Sequence, residues 1–195
     1  ILRVSAFGRV RMMMPMVAVP EELIQVRAIL AQCQAQLDAR GVAYDRHMPI
    51  GAMIEVPAAA VCADLFVRQA DFLSIGTNDL IQYTIAIDRI DDEVSYLYDP
   101  VNPAVLRLVQ NVIRAGQHSG VPVSMCGEMA GDARFTRLLL GLGLREFSVH
   151  SGALLEVKQM IVASHAGNLR KITQRIMRAH KPATRKALIT ELNDD

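Results

Sequence analysis

Asp71-Phe72-Leu73-Ser74-Ile75-Gly76-Thr77-Asn78-Asp79 is the stretch from which the fold is read. Asp71–Gly76 is apolar enough for a buried strand, and the chain then turns polar at once. Upstream, Pro57–Arg68 reads as a helix and Ile50–Glu55 (IGAMIE) as a strand that also ends on a carboxylate. Glu21–Ala39 is an amphipathic helix, with Leu23, Val26, Leu30, Cys33 and Leu37 at helical spacing. Pro20 suits its first turn, Glu21 and Glu22 complement the positive end of its dipole, and Gly41 stops it. Val10–Val17 (VRMMMPMV) reads as another buried strand. Downstream, a loop through Asp91–Pro100 leads to a helix that Asn102 caps and Pro103 opens, running to His118 and ending at Gly120. Val121–Cys126 (VPVSMC) is a strand, Asp132–Leu140 a helix and Glu146–Val149 a short strand. Helices then span 152–164, 167–179 and 183–193.

Strand–helix alternation argues for an α/β fold with a parallel sheet and right-handed crossovers. The strands are apolar along their length, as expected when both faces are buried. Five strands fit either an open doubly wound sheet or part of a barrel, and periodicity does not choose. A (β/α)₈ barrel needs roughly 250 residues and eight strands, so this chain is about three strands short of one. It begins at Ile1, inside an apolar stretch, which suggests a piece of a longer protein. On that reading residues 1–150 supply barrel strands and helices, and 151–195 a set of C-terminal helices.

The composition is that of a folded globular domain: 51% of residues are hydrophobic and 21% charged. The formal net charge of +1 gives no reason to expect nucleic acid or an anionic membrane as partner. No apolar run approaches the roughly 20 residues of a membrane-spanning helix. Cys33, Cys62 and Cys126 are too few and too scattered for a disulfide framework or a zinc site, and a cytoplasmic setting is expected.

The chemistry gathers at strand ends. The strands end on or lead into Glu55, Thr77-Asn78-Asp79 and Cys126-Gly127-Glu128, at the carboxyl edge where parallel α/β folds bind ligands. Glu55 alone could cap the next helix. Paired with Asp79 on the neighbouring strand end, it suits a shared divalent ion, with substrate and water completing an Mg²⁺ octahedron. Gly76–Asp79 offers backbone N–H groups to phosphate. Arg89 suits phosphate or carboxylate, or a surface pair with Asp88 or Asp91. Cys126 is either an inert buried thiol or a nucleophile or acid, with Gly127 allowing close approach of a ligand. Cys33 and Cys62 read as structural. His47, His118, His150, His165 and His180 show no metal spacing and read as structural or exposed, with His150 nearest the strand ends. The basic set Arg170, Lys171, Arg175, Arg178, Lys181, Arg185 and Lys186 reads as a solvated helix face. The ten methionines read as core filler, with Met53 and Met125 beside the site.

Four motifs carry a family resemblance: Met53–Ala59, Phe72–Tyr83, Ile87-Asp88-Arg89 and Ser124–Asp132. From Ile1 to about Ile161 the chain closely resembles the phosphoenolpyruvate-binding domain of enzyme I of the bacterial sugar phosphotransferase system, which multiphosphoryl transfer proteins share. The resemblance implies a (β/α)₈ TIM barrel, here its C-terminal part, that binds phosphoenolpyruvate with Mg²⁺. It implies phosphoryl transfer to a histidine of a separate N-terminal domain, thence to a histidine-bearing phosphocarrier protein, with release of pyruvate. Carried over, Glu55 and Asp79 match metal ligands, Asn78, Arg89 and Asp79 substrate contacts, and Cys126 the acid that protonates the enolate. The phosphohistidine domain and the arginines of the first barrel strands have no counterpart here, so the chain alone is expected to be inactive. Homodimerisation is also expected. Pyruvate phosphate dikinase and phosphoenolpyruvate synthase resemble the same barrel; the Asp88-Arg89 context favours enzyme I. An acyl-CoA lyase would share the carboxylates without needing Met125–Glu128. A non-catalytic dimerisation module is the remaining alternative.

Overall fold

The computed structural model describes residues 1–194. Its sheet has five parallel strands: β1 (Met12–Met14), β2 (Ile50–Ile54), β3 (Phe72–Gly76), β4 (Val123–Cys126) and β5 (Glu146–Phe147). Their spatial order is their sequence order. A doubly wound sheet reverses direction partway through. This one never does, so it is an open arc of a barrel wall, and that settles the choice that periodicity left open.

The intervening helices are α1 (Glu21–Ala39), α2 (Pro57–Val61), α3 (Ala63–Phe66), α4 (Thr77–Ile85), α5 (Pro103–Ser119), α6 (Glu128–Gly131) and α7 (Ala133–Leu142). After β5 come α8 (Leu154–Val162), α9 (Ala166–Arg178) and α10 (Pro182–Asp194). Winding in one direction with right-handed crossovers puts the crossover helices on one side of the sheet. On that side Ala52, Ile54, Leu73, Ile75 and Met125 join Phe66, Leu106, Ile113 and Leu139 in a single core. The alternate strand residues Gly51, Met53, Ser74, Gly76, Ser124 and Cys126 face the other way, toward what would be the barrel interior. The expectation of two apolar faces therefore holds for one face only.

Local chemistry sets the element ends. The Asn102 side chain accepts from the Ala104 N–H at 2.9 Å, Pro103 opens α5, and Gly120 closes it in the left-handed region. The strand expected over Val10–Val17 shortens to Met12–Met14, because Pro15 has no N–H to give and Met16 turns left-handed at φ 56°. The helix expected over Pro57–Arg68 breaks at Cys62, which gives α2 and α3. No described helix is long and apolar enough to cross a membrane.

Candidate active site

Strands β2, β3 and β4 deliver their polar residues to one rim. Glu55 follows β2 and is 4% exposed. Its Oε1 accepts the Met16 N–H at 2.7 Å, so the turn after β1 holds the carboxylate in place. Burial pushes its carboxyl above the usual range; the Met16 N–H opposes the rise, and the adjoining Asp79 carboxyl adds to it. Asp79 sits in the first turn of α4. Among the described residues no lysine or arginine pairs with either carboxylate. Gly76 lies between them and the thiol: a Cβ there would stand 2.7 Å from Glu55 Oε2, and its partner across the sheet is Cys126.

Cys126 is half-buried on the same face. Its Sγ lies 3.7 Å from Ser74 Oγ, which donates to it, and 3.6 Å from the Ile75 carbonyl, to which the thiol can donate. Thr77, fully buried, donates its hydroxyl to the Cys126 carbonyl at 3.0 Å. Gly127 has φ +89°, and a Cβ there would meet Thr77 Oγ1 at 2.5 Å and Asn78 Oδ1 at 2.8 Å. That closeness lets Asn78 Oδ1 accept the Glu128 N–H at 2.9 Å, which leaves the Asn78 amide nitrogen as the group with donors to spare.

Arg89 does not pair with Asp88 or Asp91. It reaches across the rim and donates to Glu128 Oε1 at 3.2 Å, with the two side chains 37% and 71% exposed. An ion pair that wet is weak and can be exchanged for an incoming anion. Tyr98, in the loop before α5, brings a hydroxyl that is buried without a partner. Burial pushes this phenol up, Glu128 and Asp79 add to the rise, and Arg89 opposes it.

The rim thus brings together Glu55, Asp79, Asn78, Arg89 and Cys126, the residues singled out in the sequence. Met125 is not beside them: it is fully buried among the helices, while Met53, of opposite parity, is the methionine near the rim. The five histidines are exposed; His150 lines a shallow groove with Glu128, Gly131 and Asp132. Arg185 is a further correction to the solvated basic face. It is 4% exposed and donates to the Ala179 and His180 carbonyls, with Asp99 3.9 Å away. Ser74 and Tyr98 went unnoticed in the sequence as site residues, and Thr77 and Glu128 were placed at the strand ends without a role of their own. Parity with Cys126 could have signalled Ser74; nothing local marks Tyr98.

Residues 1–166 match the family described as PEP-utilising enzyme, PEP-binding domain. The chain belongs to this family. It is 53% identical over 192 residues to the phosphoenolpyruvate-protein phosphotransferase of Cupriavidus necator, a match that covers 98% of this chain and 33% of the relative. The namesake proteins of Priestia megaterium and Streptococcus equinus are 50% and 49% identical over 161 residues, each covering 83% of this chain and 28% of the relative. This PEP-binding domain chain therefore spans a third or less of the length of these relatives. Among solved structures, a citrate lyase from Burkholderia xenovorans aligns with TM-score 0.56 over 99% of this chain and 65% of that one, at 17% identity. That likeness concerns the fold alone, and it agrees with a TIM-barrel wall.

Proposed function

We propose that this PEP-binding domain is the substrate site of a phosphoenolpyruvate-protein phosphotransferase, which moves the phosphoryl group of phosphoenolpyruvate to a histidine outside the chain and releases pyruvate. The observation that carries the reading is a carboxylate pair, buried Glu55 and half-buried Asp79, without a cationic partner among the described residues, beside Gly76 and the Cys126 thiol. Two such carboxylates repel each other and are costly to keep ionised, so the site suits a hard divalent cation. Two carboxylates fill only part of an Mg²⁺ octahedron, so on this reading substrate oxygens and water would supply the remaining ligands. Bound Mg²⁺ would offset phosphate charge as the phosphoryl group leaves.

The chain's own residues do the rest. Arg89 exchanges Glu128 for the phosphate or carboxylate of the substrate, and the Asn78 amide donates to the same oxyanion. When the P–O bond breaks, the phosphoryl group passes to the histidine nitrogen and the bond's electrons stay on the enolate. The enolate carbon then takes the Cys126 proton, which gives pyruvate and a thiolate. Ser74 donates to that sulfur and supports the charge left on it. On this reading the larger protein performs the first step of the sugar phosphotransferase system, passes phosphate to a histidine-bearing carrier, works in the cytoplasm and forms a homodimer.

Isothermal titration of phosphoenolpyruvate into the chain, with and without Mg²⁺, tests the site. Binding is expected to need Mg²⁺ and to weaken at least tenfold in Glu55→Gln, about 1.4 kcal/mol or more. Equal, metal-independent binding in a folded Glu55→Gln chain would overturn the assignment.

A further inference from the structure

Helix α4 leaves the rim through a strained turn. Asn78 and Asp79 lie in its first turn, and Gln82 follows them by four and three residues, so all three share one face. The helix stops at Ile85, and Ala86 takes a left-handed conformation at φ 55°. Glycine is the usual residue at such a helix end, because a Cβ makes that region unfavourable. The conformation lasts only where neighbouring contacts hold it. Ala86, Asp88, Arg89 and Ile90 are exposed, so burial does little of the holding.

Gln82 supplies contacts at both ends of the turn. Its main-chain carbonyl accepts the Ala86 N–H and, at 3.1 Å, the Ile87 N–H. Its side-chain Oε1 accepts the Arg89 N–H at 3.2 Å. One half-buried residue of the helix thus grips the start of the turn and also the residue at its far end. Beyond Arg89 the chain closes on itself: the Asp88 side chain accepts the Ile90 N–H, and its main-chain carbonyl the Asp91 N–H.

Arg89 therefore has two anchors of different kinds. Its guanidinium is on Glu128, in an exposed ion pair that an incoming anion can displace. Its backbone is on Gln82, through a neutral contact that gains and loses nothing when the ion pair is exchanged. While the first anchor is released, the second keeps the guanidinium within reach of the rim. Holding the backbone in place beforehand also reduces the ordering cost of binding.

Given the phosphoenolpyruvate reading above, on which this step rests, we infer that Gln82 is a positioning residue: its side-chain carbonyl latches the Ala86–Arg89 turn to α4, so that Arg89 meets the same oxyanion as the Asn78 amide. One helix thereby sets the spacing of three groups. It carries Asn78 and Asp79 directly, and Arg89 through Gln82.

Phosphoenolpyruvate is titrated calorimetrically with Mg²⁺ into the wild-type chain and into Gln82→Met, which keeps the side chain's length without the acceptor. The variant is expected to bind about three- to tenfold more weakly, the equivalent of one net hydrogen bond. Amide hydrogen exchange without ligand, followed residue by residue by NMR, separates positioning from a merely structural role. Exchange at Arg89 should quicken by up to about tenfold in Gln82→Met and stay slow in Gln82→Glu, which keeps an oxygen there. Exchange along α4 should be unchanged in both variants. Equal affinity in wild type and Gln82→Met, unaltered Arg89 exchange in Gln82→Met, fast Arg89 exchange in Gln82→Glu, or fast exchange spreading over Thr77–Ile85 would each overturn the inference. A wild-type chain that binds no phosphoenolpyruvate would sink the substrate reading and this inference together, whereas binding that ignores Gln82 would sink this inference alone.

Discussion

At Glu55 the cost of burial is set against one hydrogen bond from Met16, and the Asp79 charge tips the balance further against ionisation. Glutamine keeps the acceptor and removes the charge. In the metal-free chain Glu55→Gln should therefore be at least as stable as wild type at neutral pH. Mg²⁺ at a hundred times its dissociation constant should stabilise the wild type by about 2.7 kcal/mol and leave the variant unmoved. Thermal melts with and without Mg²⁺ check both statements. Asp132 shows the opposite sign. The Arg134 guanidinium holds its carboxyl below the usual 3.8, helped by the Arg134 N–H. A depressed carboxyl stabilises the fold above the unfolded value, and that contribution is lost as pH falls through the folded one. Asp132→Asn preserves the α7 cap, so it should cost below about 1 kcal/mol at pH 7, given the exposure of Arg134. Chemical unfolding at pH 7 and again at pH 3 or below should show that difference vanish at the acid end.

Among the elements, the junction of β4 with α6 is the least forgiving. Gly127 combines φ +89° with ψ −178°, and its missing Cβ leaves room for Thr77 and Asn78. Gly127→Ala should cost about 1–3 kcal/mol from backbone strain alone and dislodge the Asn78–Glu128 contact. Urea unfolding measures the first effect, and weakened phosphoenolpyruvate binding the second. Long elements with clear ends were legible in the sequence. Glu21–Ala39 emerges with the boundaries that its charges and periodicity dictate, and α5 begins at the Asn102 cap. The short pieces were not legible. α6 is one turn long, and α4 follows β3 with no loop between, so the polar residues that end the strand are also the first turn of a helix that the sequence shows only as a strand-end turn. Site residues on strand ends could be found because polar groups are conspicuous after apolar runs. Glu128 as the partner of Arg89 could not, because the contact joins residues 39 apart through tertiary packing.

For the molecule as a whole, an open arc of five strands carries one arginine, Arg89, alongside Glu55, Asn78, Asp79 and Cys126. Phosphoryl transfer relies on charge neutralisation and an accepting nucleophile in line. The isolated 195-residue chain should therefore bind phosphoenolpyruvate with Mg²⁺ yet release no pyruvate in a lactate dehydrogenase-coupled assay. Turnover by the chain alone would contradict this. The barrel character itself was only half legible: alternation fixed a parallel α/β sheet, but the strand order that separates an arc from a doubly wound sheet depends on pairing between distant residues.

Arg185, drawn in from α10 to the corner between α9 and α10, also leans toward Asp99, the neighbour of Tyr98. Helix α10 is thereby a brace behind the loop that brings Tyr98 to the candidate site. Limited proteolysis that trims this helix should slacken that loop first, with the tyrosine fluorescence changing in the wild type but not in Tyr98→Phe, while the sheet keeps its circular dichroism.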